Sequence, residues 1–176
     1  VDDYFNGIIK KHELTRKDKE DGRMIHVNIT NANVEPVFFA YPDNKEINTI
    51  VGNIVKNEKP IYDFVAKEDG FGHKFWVVND EKTIKRIEEI FDKDVKYLYV
   101  ADGHHRTAAA ARVGLERKAK NPHHTGNEEY NYFMAVIFPA NQLRIIDYNR
   151  VVKDLNGLSD EEFLKKLETA FKVEKK

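Results

Sequence analysis

Short apolar runs alternate along this chain with stretches whose apolar residues recur at helical spacing, and that alternation restricts it to a mixed α and β architecture. Residues 34–41, 96–101 and 132–138 are dense in Val, Ile, Phe, Tyr and Ala and read as strands, the second of them short and buried. Residues 45–57 place Ile47, Ile50, Val51, Ile54 and Val55 on one helical stripe. Ile84, Ile87, Ile90 and Phe91 form the face of a second helix, capped by Asn79 or Asp80. Residues 15–28 read as a helix capped by Thr15 and weakened by Gly22, and the Ala-rich residues 104–118 as another. Ser159 with Glu162 forms a capping box for a last helix, faced by Phe163, Leu164, Leu167 and Phe171.

Two hairpins are expected. One joins 61–66 to 73–78 through Gly70-Phe71-Gly72; the other joins 132–138 to 143–146 around Pro139, after a polar loop over 117–131. Hairpins argue against a purely parallel sheet, so the expected fold is α+β, a mixed sheet with flanking helices. Neither a repeat nor a linker divides the chain, and it reads as a single domain over 1–176. The start at Val1 carries no initiator Met and no leader pattern, so the chain reads as a fragment with a cytoplasmic location by default.

Composition narrows the partners. Lys and Arg number 29 against 30 Asp and Glu, a net charge of −1, which gives no basic surface for nucleic acid or anionic membranes. The longest apolar run is far short of the roughly 20 residues of a membrane helix. Cysteine is absent, which removes thiol nucleophiles, disulfides and thiolate metal sites. Chemistry is left to His, carboxylates, hydroxyls and cations.

Those groups concentrate in Asp102-Gly103-His104-His105-Arg106, where a strand turns through glycine into a helix. The first turn of a helix presents unpaired N–H groups and the positive end of its dipole, and a glycine lets an anion approach the backbone. His104 and His105 add donors and Arg106 adds a planar cationic fork that matches a phosphate. Asp102 is placed to contact a metal ion or orient a hydroxyl. Each residue also has an ordinary structural use: Asp102 as a cap, the histidines on the surface, Arg106 in a salt bridge. Other motifs fall short. There is no Walker A sequence, His12-Glu13 lacks the second His of a zincin, His123-His124 reads as solvated, and Trp76 with Phe71 and Phe75 reads as core.

The Asp102–Arg106 segment resembles the DGHHR signature of a prokaryotic family, the domain of unknown function numbered ten-fifteen. Further matching pieces are Asp3-Tyr4, Lys11-His12-Glu13-Leu14-Thr15, Arg23, the 31–37 run, Tyr130-Asn131-Tyr132-Phe133 and Asp147-Tyr148-Asn149-Arg150. The turn is also similar to that of the free-serine kinases in the ParB and sulfiredoxin-like superfamily. The resemblance implies nucleotide-phosphate binding by Gly103, His104, His105 and Arg106, with Asp102 contacting substrate or magnesium. It further implies ATP or ADP with Mg²⁺ as cofactor and a small hydroxyl compound as substrate. Glu13 and Glu35 are candidate bases because they lie in matching pieces, Asp102 and His105 are further catalytic candidates, and His12, Arg23 and Arg150 complete the set. Sulfiredoxin's cysteine and ParB's extra arginine are both missing. The expected activity is a nucleotide-dependent small-molecule kinase. The alternatives are a non-catalytic nucleotide sensor and a metal-dependent phosphohydrolase using Asp102, His104 and His105.

Overall fold

Strand alternation is clearest in the segment that organises the sheet, where Val37, Phe39 and Tyr41 are buried while Phe38 and Ala40 between them are half-buried. The computed structural model describes residues 1–174. Its helices are α1 (Asp2–Phe5), α2 (Lys17–Thr30), α3 (Lys45–Asn57), α4 (Glu81–Lys93), α5 (His104–Lys120) and α6 (Asp160–Glu168). Its strands are β1 (Ile9–Lys10), β2 (Val37–Tyr41), β3 (Tyr62–Val65), β4 (Gly72–Phe75), β5 (Leu98–Asp102) and β6 (Ala135–Pro139). Contacts divide the chain into two compact units, Val1–Arg144 and Ile145–Lys176.

The first unit carries a four-stranded sheet in the order β1-β5-β2-β6, and β3 with β4 forms a separate two-stranded hairpin. β5 runs parallel to β1 and antiparallel to β2, and β2 runs parallel to β6, so the sheet is mixed as the sequence implies. Tyr4, Ile9, Val37, Phe39, Val100, Ala108 and Ala111 pack together, which seats α5 on the sheet. The alanines let the helix approach closely. Tyr41, Ile47, Ile90 and Val95 make a second cluster beneath α3 and α4, and Met24, Ala109 and Val113 join α2 to α5. That last contact is tied by Arg112, whose guanidinium lies 2.7 Å from Glu20 and 3.0 Å from Asp21. Burial pushes the Glu20 carboxyl up, but the Thr15 hydroxyl and Arg112 outweigh it and hold the group below its ordinary value.

Capping chemistry sets several boundaries. Asn44 accepts hydrogen bonds from Glu46 N and Ile47 N to start α3, and Asp80 accepts from Thr83 N to start α4. In the second unit, Ser159 and Glu162 form the expected capping box of α6.

Several expectations need correction. Residues 143–146 form no strand; β6 pairs with β2 in parallel instead of closing a second hairpin. α2 starts at Lys17, and Thr15 bonds Glu20 rather than capping the helix. The 117–131 stretch is not wholly loop, since α5 runs to Lys120 and Glu129–Asn131 makes a 3-10 turn. β5 buries Val100 but leaves Tyr99 and Ala101 exposed. Phe71 and Phe75 are exposed on the separate hairpin, with Trp76 half-buried, because both strands of that ribbon stay exposed along their length among the described residues. Phe171 lies beyond the end of α6 and is exposed. Among the described residues no helix is long and apolar enough to cross a membrane.

Candidate functional site

Strand direction gathers the site. Because β1 is parallel to β5, with Lys10 opposite Tyr99, the segments that follow both strands leave the same sheet edge. Because β2 is antiparallel to β5, with Phe38 opposite Asp102, the residues leading into β2 arrive at that edge too. Three sequence-distant pieces, 11–15, 35–36 and 102–107, therefore converge at the carboxyl end of β5.

The turn itself requires glycine for two reasons. Gly103 has φ 90° and ψ 34°, in the left-handed region that costs an L side chain energy. A Cβ there would also lie 3.2 Å from the Arg106 guanidinium, which folds back over the glycine. Among the described residues no side chain caps α5, so the donors of its first turn are left for another acceptor. Thr107, fully buried, locks the turn by donating both its N–H and its hydroxyl to the Gly103 carbonyl, at 2.8 and 2.9 Å.

The four charged or titratable side chains of the turn go three ways, Asp102 with Arg106 and each histidine by itself. Arg106 donates to the Pro36 carbonyl at 2.8 Å and to Asp102 at 2.5 Å, and lies 3.3 Å from Glu35. His105 Nε2 accepts from the Arg16 backbone N–H at 3.1 Å. His104 is buried, its Nδ1 3.2 Å from Glu13 Oε2 and its ring edge-on to His12 at a centroid separation of 4.4 Å.

Burial, with His12 adding to it, pushes the His104 imidazole below its ordinary pKa against the opposing pull of Glu13 and Asp102. The ring is thus neutral at pH 7. A carboxylate only accepts, so Nδ1 carries the proton and donates it to Glu13, and Nε2 is left as the lone-pair nitrogen. That nitrogen is buried with no hydrogen-bond partner among the described residues. His104 and Thr107 line a cavity of about 400 Å³ together with Lys11, His12, Glu13 and Thr15. Lys11 reaches it with its ammonium 3.9 Å from the Tyr4 ring centroid.

The family described as protein of unknown function (DUF1015) matches residues 1–176. The chain belongs to that family. No curated protein and no solved structure matches it.

In this DUF1015 domain the sequence-selected residues fall into two groups on either side of the turn. Glu13, His12 and His104 meet at the cavity, whereas Asp102, Arg106, Glu35 and Arg23 form a chain of charges, with Arg23 3.9 Å from Glu35. His105 stands with Arg16, outside both. Arg150 lies in the second unit, its guanidinium 4.8 Å from the Tyr148 ring. Asp102, His104 and His105 face different partners, and among the described residues no group of three or more His, Asp or Glu side chains could hold a metal ion. His124, read as solvated, is half-buried between the Tyr130 hydroxyl at 2.8 Å and Glu128 at 2.9 Å. Sequence reasoning passed over Lys11 and Thr107 as site residues, although Lys11 adjoins His12-Glu13 and Thr107 directly follows the motif. Nothing local marks the Pro36 carbonyl, which only the antiparallel pairing brings to Arg106.

Proposed function

We propose that this domain is a nucleotide-dependent phosphotransferase that phosphorylates a small hydroxyl compound, with the α5 start as the phosphate end of the site. The observation that carries the reading is His104, a buried neutral imidazole oriented by Glu13 whose Nε2 has no partner among the described residues, in the wall of a cavity beside an uncapped helix N-terminus. A nucleotide fits the uncapped N–H donors of α5, and Lys11 adds a cation at the same cavity. Magnesium needs only one or two carboxylates beside the phosphates, which Glu13 or Asp102 can supply. The resemblance of the turn to that of free-serine kinases in the ParB and sulfiredoxin-like superfamily points the same way.

In the reaction the acceptor hydroxyl oxygen bonds the terminal phosphorus, the bond from that phosphorus to the nucleotide's bridging oxygen breaks, and the hydroxyl proton passes to His104 Nε2. Glu13 holds the imidazole in the accepting tautomer and faces the imidazolium that forms. Most of the rate comes from positioning and from donors facing the phosphoryl oxygens. The test is phosphoryl transfer from ATP or ADP with Mg²⁺ to a panel of hydroxyl acceptors, serine first. Glu13→Gln and His104→Gln should each lower turnover by roughly 10²–10⁴ with the fold retained. Undiminished turnover in both variants would refute the assignment.

One observation favours a second reading, a nucleotide sensor without transfer. Arg106 is already held by Asp102, Glu35 and the Pro36 carbonyl, so a phosphate that takes the guanidinium releases the lead into β2. That reading predicts nucleotide binding with no product.

A further inference from the structure

We infer that a cavity of about 570 Å³ between α2, α5 and the segment around Tyr132 is a second binding site, for a small organic carboxylate carried on an apolar or aromatic body. Its chemistry rests on Arg117. Arg16, Arg23, Arg86, Arg106 and Arg112 each lie against a carboxylate. The half-buried Arg117 does not: its Nη1 donates to Asn31 Oδ1 at 2.7 Å and its Nη2 to Asn28 Oδ1 at 3.4 Å, both neutral amides. No other polar partner holds it among the described residues. The guanidinium is therefore positioned with its charge unbalanced. Asn31, in the left-handed conformation at φ 51°, ends α2 and presents the amide that does the positioning.

The number and sign of the charges select the ligand. Of the five guanidinium donors two are engaged, which leaves enough for the two oxygens of a carboxylate. One cation balances one negative charge, and the exposed Glu129 at the same cavity disfavours a second. A carboxylate fits better than a phosphate monoester on that ground. Beside the polar Asn33 and Tyr130, the walls made by Val27, Val113, Tyr132, Phe133 and Met134 suit an apolar or aromatic body. The site belongs to the far end of α5 from His104, and the inference does not depend on the proposed phosphotransferase activity.

Titration of the full chain with benzoate, benzamide and phenyl phosphate, followed by amide NMR shifts, tests it. Benzoate should move resonances around Arg117 and Asn31 and bind at least about tenfold more tightly than its neutral isostere benzamide, the worth of one charge-assisted hydrogen bond. Arg117→Gln should lose that margin, Glu13→Gln should keep it, and the variant's own melting curve reports whether it is folded. Equal binding of benzoate and benzamide, an unchanged margin in folded Arg117→Gln, or no binding of benzoate would overturn the site. Tighter binding of phenyl phosphate would overturn the choice of carboxylate.

Discussion

Gly103 and His104 are neighbours that carry different costs, and each cost can be measured. At Gly103 the left-handed backbone and the overlying guanidinium act together. Gly103→Ala should destabilise the domain by about 1–2 kcal/mol from the backbone alone, read by chemical denaturation; unaltered stability would show that the turn relaxes freely. At His104 the cost falls on the proton. Its folded pKa lies below the unfolded value of 6.5, so between the two the unfolded chain binds more protons. The stability contributed by the neutral ring is complete above that unfolded value and is lost as pH falls toward the folded pKa. Melting temperature should therefore drop from pH 7.5 to 5 more steeply in the native protein than in His104→Gln; parallel profiles would contradict a buried neutral ring. The motif reads from the sequence as one cluster of phosphate donors. Arg106 departs from that reading because Asp102 and Glu35 reach it first, and Glu35 lies too far along the chain for local spacing to place it.

At the level of elements, α5 bears the strictest packing demand. Ala109 and Ala111 are wholly buried and Ala108 nearly so, pressed between the sheet and α2. Ala109→Leu should cost about 1–3 kcal/mol by overpacking, seen as a lower denaturation midpoint; a stabilised variant would mean the α2–α5 contact contains unfilled space. Elements specified by local chemistry were legible. The stripe over Lys45–Asn57, the Asp80 and Ser159 caps and the hairpin of β3 with β4 all need only neighbouring residues. Elements specified by distant pairing were not. β1 is two residues long and exists because β5 lies beside it, and β6 finds β2 rather than residues 143–146 because parallel pairing leaves no turn signal.

Across the whole molecule, that invisible β1 decides the site. It steers Lys11-His12-Glu13 to the edge where α5 begins, and so builds the Glu13–His104 pair that sequence spacing alone leaves apart. The mixed sheet was legible from the alternation of runs; the meeting of its three edge segments depended on strand order. Whether this edge holds a nucleotide is tested by the melting temperature of the full chain titrated with ATP and ADP, with and without Mg²⁺. The expected result is an upward shift that grows with nucleotide concentration, about 2.7 kcal/mol of added stability at one hundred times the dissociation constant. A melting temperature that neither nucleotide moves up to millimolar concentration would contradict it.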